Sequence, residues 1–271
     1  MELLSGEPIA RRMISDLKPR IGLNLSLSVV QVGENKVSER YIGEKAKVAK
    51  ELGISFKVAR FPREVSQEEL EKSVAELGLN KGVSGIIIQL PLPAHLFAQK
   101  VLDLIPLGKD VDVLSSANFE LFKQGRSRIL PPTIEAISCL LQESGVSIQE
   151  KNTVIIGKGR LVGEPLRVWF LQKGITPVVA DKSTLNIGEL ARSADILISA
   201  AGKAGLITGD MVKEGAVVID AGTSVESGEA KGDIDFESVS KKAAYITPVP
   251  GGVGPLTVAN LFNNLVKLSE Q

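Results

Sequence analysis

One cysteine and one histidine in 271 residues remove several chemistries at once. Cys139 alone excludes an internal disulfide and points to a reducing compartment. Within the apolar run Ile137-Ser138-Cys139-Leu140-Leu141 it reads as a small buried residue, not a nucleophile. His95 follows Pro91-Leu92-Pro93-Ala94 with no second His or Cys beside it, which argues against a His-based metal site or a Ser-His-Asp triad. Excess charge is also lacking: 32 basic residues balance 32 acidic ones, so nothing draws the whole chain to nucleic acid or an anionic membrane. No apolar run reaches the ~20 residues needed to span a bilayer. The start Met1-Glu2-Leu3-Leu4 has no basic signal-peptide opening. These absences predict a soluble, cytoplasmic, metal-free protein without nucleic-acid or membrane partners.

What is present is a large core: 44% of residues are hydrophobic, and the length suits one large or two medium domains. Strand-like and helix-like segments alternate. Residues 25–32, 55–60 and 85–90 read as strands, with helices over 38–52 and 67–77 and Ser66 as a cap. A break falls at Leu130-Pro131-Pro132-Thr133, ahead of a helical run over 134–141. Strands then read at 153–156, 176–180, 195–199, 216–220 and 245–247, with helices at 162–171 and 187–193 and a closing helix at 256–268. Such alternation predicts an α/β protein with parallel sheets covered by helices. Two lobes with a cleft between them are expected. Residues 1–133 would form the first, completed by a returning C-terminal helix over 256–271, and residues 134–255 the second. No internal repeat or low-complexity tract interrupts the pattern.

After the strand ending at Ile156 comes Gly157-Lys158-Gly159-Arg160-Leu161-Val162-Gly163, a GxGxxxG loop between strand and helix. Glycines let a pyrophosphate approach the backbone, and a helix N-terminus offers free N–H groups. A glycine turn without a ligand is the plainer reading of the loop alone. The next strand, however, ends in Asp181-Lys182-Ser183, where a ribose-reading residue belongs. A Rossmann-type nicotinamide dinucleotide site is therefore expected. Asp181 favours the ribose 2′-hydroxyl of NAD, whereas Lys158, Arg160 and Lys182 suit the 2′-phosphate of NADP.

On the helix over 38–52, Tyr41, Val48, Ala49 and Leu52 define an apolar stripe, with Ser38 on the same side. Lys45 falls inside that stripe, while Lys47 and Lys50 face away. A lysine so placed either snorkels to water or meets a ligand. Desolvation would lower its pKa and suit it to proton transfer. Gln89 ends the apolar strand Ile86-Ile87-Ile88, at the strand terminus where ligands sit in α/β sheets, although strand-end turns also use such residues. Asp110 and Asp112 would share one side of an extended segment. The stretch Thr247-Pro248-Val249-Pro250-Gly251-Gly252-Val253-Gly254-Pro255-Leu256-Thr257 reads as an ordered loop that lets a planar body approach the main chain.

Ser38-x-x-Tyr41-x-x-x-Lys45, Gln89-Leu90-Pro91-Leu92-Pro93, Lys109-Asp110-Val111-Asp112, the glycine loop and the closing Pro/Gly stretch occur in the order of one family. Over nearly its whole length the chain resembles the bifunctional methylenetetrahydrofolate dehydrogenase/methenyltetrahydrofolate cyclohydrolases. Smaller echoes are Val218-Ile219-Asp220-Ala221-Gly222 and Gly232-Asp233-Ile234-Asp235-Phe236. The resemblance implies a one-carbon-metabolism enzyme that oxidises methylenetetrahydrofolate and hydrolyses the methenyl product to 10-formyltetrahydrofolate. It implies Lys45, Gln89 and Asp112 as catalytic residues, and Ser38, Tyr41, Pro250, Gly251, Gly252, Gly254 and Pro255 at the folate. It further implies Gly157, Lys158, Gly159, Arg160, Val162, Gly163, Asp181, Lys182 and Thr223 at the dinucleotide, which would be NADP, with NAD as the other possibility. A homodimer is implied as well. The chain departs from the family pattern at Asp112-Val113-Leu114-Ser115 (usually Asp-Gly-Phe-His) and at Pro131-Pro132-Thr133-Ile134-Glu135-Ala136 (usually Pro-Cys-Thr-Pro-x-Gly). It departs again at Gly157-Lys158-Gly159 (usually Gly-Arg-Ser) and at Asp181-Lys182 (usually His-Ser). The first two changes leave a dehydrogenase with weak or absent cyclohydrolase activity as the alternative.

Overall fold

A computed structural model describes residues 1–22, 24–226 and 229–270. In chain order its strands are β1 (Glu2–Leu3), β2 (Ser26–Val32), β3 (Ser55–Phe61), β4 (Gly85–Ile88), β5 (Thr153–Ile156), β6 (Val178–Ala180), β7 (Ile196–Ser199), β8 (Val217–Asp220), β9 (Ser224–Glu226), β10 (Glu229–Lys231) and β11 (Tyr245–Ile246). The helices are α1 (Gly6–Leu17), α2 (Lys36–Leu52), α3 (Gln67–Leu79), α4 (Ala98–Leu102), α5 (Ser116–Lys123), α6 (Pro132–Glu143), α7 (Gly163–Gln172), α8 (Ile187–Ser193), α9 (Phe236–Val239) and α10 (Val253–Ser269). The chain divides into two compact units, one of Met1–Ala10 and Thr133–Thr257, the other of Arg11–Pro132 and the residues from Val258 onward.

In the second of these units three parallel strands run in the order β3-β2-β4. Central β2 is buried along its whole length, and so reads as an apolar run broken only by Ser26, Ser28 and Gln31. Helix α2 starts two residues before the expected Ser38, because Asn35 caps it by accepting from the amides of Val37 (2.9 Å) and Ser38 (3.0 Å). Gly53, at φ 69°, closes it. Ser66 caps α3 as expected, accepting from the Glu69 amide at 3.1 Å. Leu70 and Val74 of α3 pack with Ile86 and Ile88 of β4 and with Val101 and Leu102 of α4. Residues of α10 complete this unit: Asn264 Nδ2 donates to the carbonyls of Val111 (3.0 Å) and Leu130 (2.8 Å).

The other unit holds a parallel sheet in the order β1-β11-β8-β7-β5-β6. Glu2 and Leu3 pair with Tyr245 and Ile246, so the amino terminus belongs to this sheet and not to the lobe expected for residues 1–133. A two-residue strand leaves no periodicity to read. Strands β9 and β10 form a separate antiparallel pair. Helix α10 begins three residues before its expected start, taking Val253, Gly254 and Pro255 into its first turn. Pro255 is tolerated there because first-turn amides lack intrahelical acceptors. Cys139 on α6 is half-buried rather than enclosed. His95 lies within 3.1 Å of the Val65 carbonyl, in the loop between β3 and α3. Among the described residues no helix is long and apolar enough to cross a membrane.

Candidate active site

In the three-stranded unit the site is built where α2 passes the end of β4. Gln89 extends the β4 ladder by donating its amide to the Val30 carbonyl (2.9 Å). Its side-chain Nε2 donates to the Leu90 carbonyl (3.2 Å), which leaves Oε1 to accept from Lys45 Nζ at 3.1 Å. The Lys45 ammonium thus has a protein partner at the end of β4. Desolvation lowers the Lys45 pKa, and the negative charge of Asp112 partly restores it. Burial raises the Asp112 pKa to about 6 against the pull of Lys45, and Asp110 adds to the rise. Both side chains keep some accessible surface, yet their charged ends are largely desolvated. The structure thus brings Lys45, Gln89 and Asp112 together, with half-buried Tyr41 one turn before Lys45 and Ser38 buried at the start of the same helix.

Asp110 and Asp112 have separate tasks. Asp110 is fully buried and accepts from the amides of Leu114 (3.1 Å) and Ser115 (2.9 Å), from Ser115 Oγ (2.7 Å) and from Asn118 Nδ2 (3.1 Å). It ties down the turn that carries Asp112. Within that turn Val113 has φ 58°, a left-handed conformation uncommon for a β-branched residue. Lys109 supports the segment from below, donating to the carbonyls of Gly78 (2.7 Å) and Asn80 (2.8 Å) at the end of α3. The anchoring roles of Asp110 and Lys109 escaped the sequence reading. The alternation within Lys109-Asp110-Val111-Asp112 was the only available signal.

In the six-stranded unit the three loop glycines differ in kind. Gly157 has φ 115°, and a Cβ there would lie 2.4 Å from the Ala200 carbonyl oxygen. A Cβ on Gly163 would fall 1.9 Å from the Gly157 oxygen, so this glycine is what lets α7 approach the loop. Gly159, in contrast, faces open space. Turn, open approach and close helix packing are the three tasks glycines perform where a pyrophosphate is bound. No side chain caps α7; the Glu164 amide donates to the Gly159 carbonyl (3.0 Å) and Pro165 has no N–H, which leaves the Gly163 amide at its start for an anion. The residues present therefore fit a dinucleotide. Lys158, Gly159 and Arg160 are exposed on the loop, and Val162 is half-buried at the helix start. Asp181 follows β6 directly, and the Gly157 amide donates to the neighbouring Ala180 carbonyl at 2.7 Å. Its carboxylate accepts from Ser183 Oγ (2.5 Å) and the Ser183 amide (2.9 Å) and pairs with Lys158 at 3.3 Å. The Ser183 contacts, then Lys158, hold its pKa down to about 2. Lys182 and Thr223 are exposed at the ends of β6 and β8.

The Pro/Gly loop ends this sheet after β11. The Gly6 amide donates to the Gly251 carbonyl (2.8 Å), and Gly251 has φ 109°. A Cβ on Gly252 would meet the Pro248 oxygen at 2.6 Å and Thr247 Cβ at 2.9 Å, whereas Gly254 faces open space. Gly252 is thus required by the loop itself, not only by a guest. Pro250 is exposed and Pro255 half-buried.

A glycine loop on this strand order makes the six-stranded unit a dinucleotide-binding domain. With a desolvated lysine in the other unit, the molecule falls in the class of dinucleotide-dependent enzymes. The family model for the tetrahydrofolate dehydrogenase/cyclohydrolase catalytic domain matches residues 4–112, and that for the NAD(P)-binding domain matches residues 131–271. The chain belongs to the tetrahydrofolate dehydrogenase/cyclohydrolase family and is an enzyme with both of its activities. It is 40% identical to the bifunctional protein FolD of Lactobacillus gasseri, over all of this chain and 98% of the relative. The crystal structure of the Campylobacter jejuni bifunctional FolD enzyme superposes with a TM-score of 0.94 at 38% identity, covering 100% of this chain and 99% of that one. The Trypanosoma brucei enzyme, in complex with NADP cofactor and inhibitor, also gives 0.94, at 33% identity, covering 99% of this chain and 97% of that one.

Proposed function

We propose that Lys45 is the proton-transfer group for conversion of 5,10-methenyltetrahydrofolate to 10-formyltetrahydrofolate, with Gln89 and Asp112 setting its state. The observation that carries this reading is the Lys45–Gln89 hydrogen bond in a desolvated setting. A lysine with a lowered pKa holds more neutral amine near neutrality, and only that form accepts a proton. Water adds to the methenyl carbon, one of its protons passes to the Lys45 amine and on to N5 as the C–N5 bond opens, and the remaining hydroxyl proton leaves to solvent as the formyl C=O forms. Gln89 fixes the amine through a neutral acceptor, adding no charge that would raise its pKa. Asp112 holds the pterin ring, and Ser38 and Tyr41 line the same face of α2. The Pro250–Pro255 stretch offers backbone to the folate at Gly251 and Gly254, with Gly252 shaping the loop.

In the preceding step the methylene folate loses hydride, and the dinucleotide, when bound, supplies the acceptor. Gly157, Gly159, Gly163 and the start of α7 hold its pyrophosphate, with Lys158, Arg160, Asp181, Lys182 and Thr223 around the rest. NADP is the cofactor proposed, NAD the second possibility; the NADP complex of the Trypanosoma brucei relative supports the first. A homodimer in a cytoplasmic setting completes the reading, as the family resemblance implies. Purified protein mixed with methylenetetrahydrofolate and either dinucleotide tests it, with reduced nicotinamide and methenyl absorbance followed separately. Reduced cofactor with transient methenyl product is expected. No reduced cofactor with either dinucleotide sinks the reading. Methenyl product that persists would overturn the hydrolytic role proposed for Lys45.

A further inference from the structure

Two buried aspartates in the six-stranded unit take no part in the chemistry above. Asp220 ends β8, and Asp233 lies beyond β10; they are 3% and 0% exposed. The Asp220 carboxylate accepts from the amides of Gly222 (3.0 Å), Asp233 (3.1 Å) and Ile234 (3.0 Å). The Asp233 carboxylate accepts from Ser199 Oγ (2.8 Å) and from the amides of Ala201 (2.6 Å) and Lys203 (2.7 Å). Each sits against a glycine beside the other. A Cβ on Gly222 would fall 2.1 Å from Asp233 Cγ, and one on Gly232 would fall 1.9 Å from Asp220 Oδ2.

The network continues at both ends. The Asp220 amide donates to Thr247 Oγ1 (2.8 Å), the residue that opens the Pro/Gly loop. Ala200 donates to the Ile156 carbonyl (2.7 Å), and its own oxygen is the atom that forbids a side chain at Gly157. A continuous series of contacts therefore leads from Thr247 through Asp220 and Asp233 to residues 199–203 and the first glycine of the dinucleotide loop. Burying two carboxylates is costly, and apolar residues would join the strands at less cost. What carboxylates add is the capacity to fix several backbone amides in defined directions. The Ala201, Lys203 and Gly222 amides lie beyond the carboxyl ends of parallel β7 and β8, where α/β sheets bind their ligands.

We infer that Asp220 and Asp233 are positioning residues for the dinucleotide, fixing the strand-end loops on which it lies. They act on cofactor affinity and leave hydrolysis of the methenyl folate unaffected; only the hydrolytic comparison rests on the function proposed above. Asp233→Asn keeps the shape but sets an amide donor against the Ala201 or Lys203 amide. Titration of the protein with NADP⁺ should show Kd raised about tenfold or more. Methenyltetrahydrofolate hydrolysis, measured without dinucleotide, should stay within about twofold of the parent. An unchanged Kd overturns the inference, and so does an equal fall in both measurements with a lowered melting temperature. Ser199→Ala removes one donor from Asp233 and decides the matter if the first variant does not fold. About threefold weaker NADP⁺ binding at an unchanged melting temperature is expected, and unaltered binding overturns the inference. Titration needs no turnover. A parent chain that binds NADP⁺ without oxidising methylenetetrahydrofolate would therefore defeat the functional reading and leave this one standing.

Discussion

Asp112 is held partly protonated near pH 6 because burial opposes its charge more than Lys45 supports it. A carboxyl group whose folded pKa is raised stabilises the fold below its unfolded pKa and loses that contribution as pH rises through the folded value. Asp112→Asn should therefore be more stable than the parent at pH 8, by roughly 1 kcal/mol or a few degrees in melting temperature. The advantage should vanish below about pH 4, which melting curves at the two pH values would reveal. The same substitution removes the charge that sustains the Lys45 ammonium. The rising limb of the hydrolysis pH profile should then move to lower pH; a limb that stays put would separate Lys45 from that step. Val113 permits a second comparison at this scale. Replacing a buried valine by glycine ordinarily removes about 1.5–3 kcal/mol of apolar burial and adds backbone freedom. At φ 58° it also relieves strain of about 1–3 kcal/mol. Val113→Gly should accordingly lie within about 1 kcal/mol of the parent in urea unfolding, whereas Val29→Gly in central β2 should cost about 3 kcal/mol or more. Lys45 was legible in the sequence because a helix wheel holds whatever the tertiary context. The split between Asp110 and Asp112 was not, because an alternation rule assumes a straight strand, and here the chain turns at Asp110, whose carbonyl accepts from the Val113 amide (3.3 Å).

Among the elements, many with a strong local signal were legible, although the amphipathic α1 was not read. The Ser66 cap, β5 and α8 fall where propensity and turn residues place them. The short α4 and α5 and the two-residue β1 carry too few turns or alternations to stand out. The early start of α10 was hidden by its own Pro255 and Gly254, which read as loop until the first-turn exemption is considered. The glycine loop shows how structure refines a motif. Gly163→Ala would force a methyl into the Gly157 carbonyl and should disturb the packing of α7, lowering the melting temperature. Gly159→Ala meets nothing, so it should fold as the parent does yet bind NADP⁺ at least about tenfold more weakly, as nucleotide titration would register. Equal affinity in the Gly159 variant would mean that no ligand approaches the backbone there.

Taken whole, the proton-transfer group proposed here and the proposed dinucleotide loop belong to different units, so hydrolysis and nucleotide binding should be separable by substitution. Lys45→Met should reduce methenyltetrahydrofolate hydrolysis by a factor of about a hundred or more, the scale of general acid–base catalysis. NADP⁺ at a hundred times its Kd should still stabilise that variant by about 2.7 kcal/mol. A thermal-shift series on parent and variant checks both; full hydrolysis in the variant would leave Lys45 without a catalytic role. The two-unit arrangement was legible from the double alternation and the Pro131-Pro132 break, while the place of Met1–Ala10 was not, since no local signal marks a partner so distant in sequence.

Asn264, which holds the carbonyls of Val111 and Leu130 from the last helix, also dictates an order of events during synthesis. Residues 11–132 leave the ribosome lacking the side chains that close them, and the whole of residues 133–257 must be translated before those arrive. Strand β1 waits in the same way for β11. At ~5–20 residues per second the nascent chain therefore spends several seconds with Gly85 and Val111 uncovered by Leu265. In that interval the unfinished unit carries apolar surface that the finished fold buries.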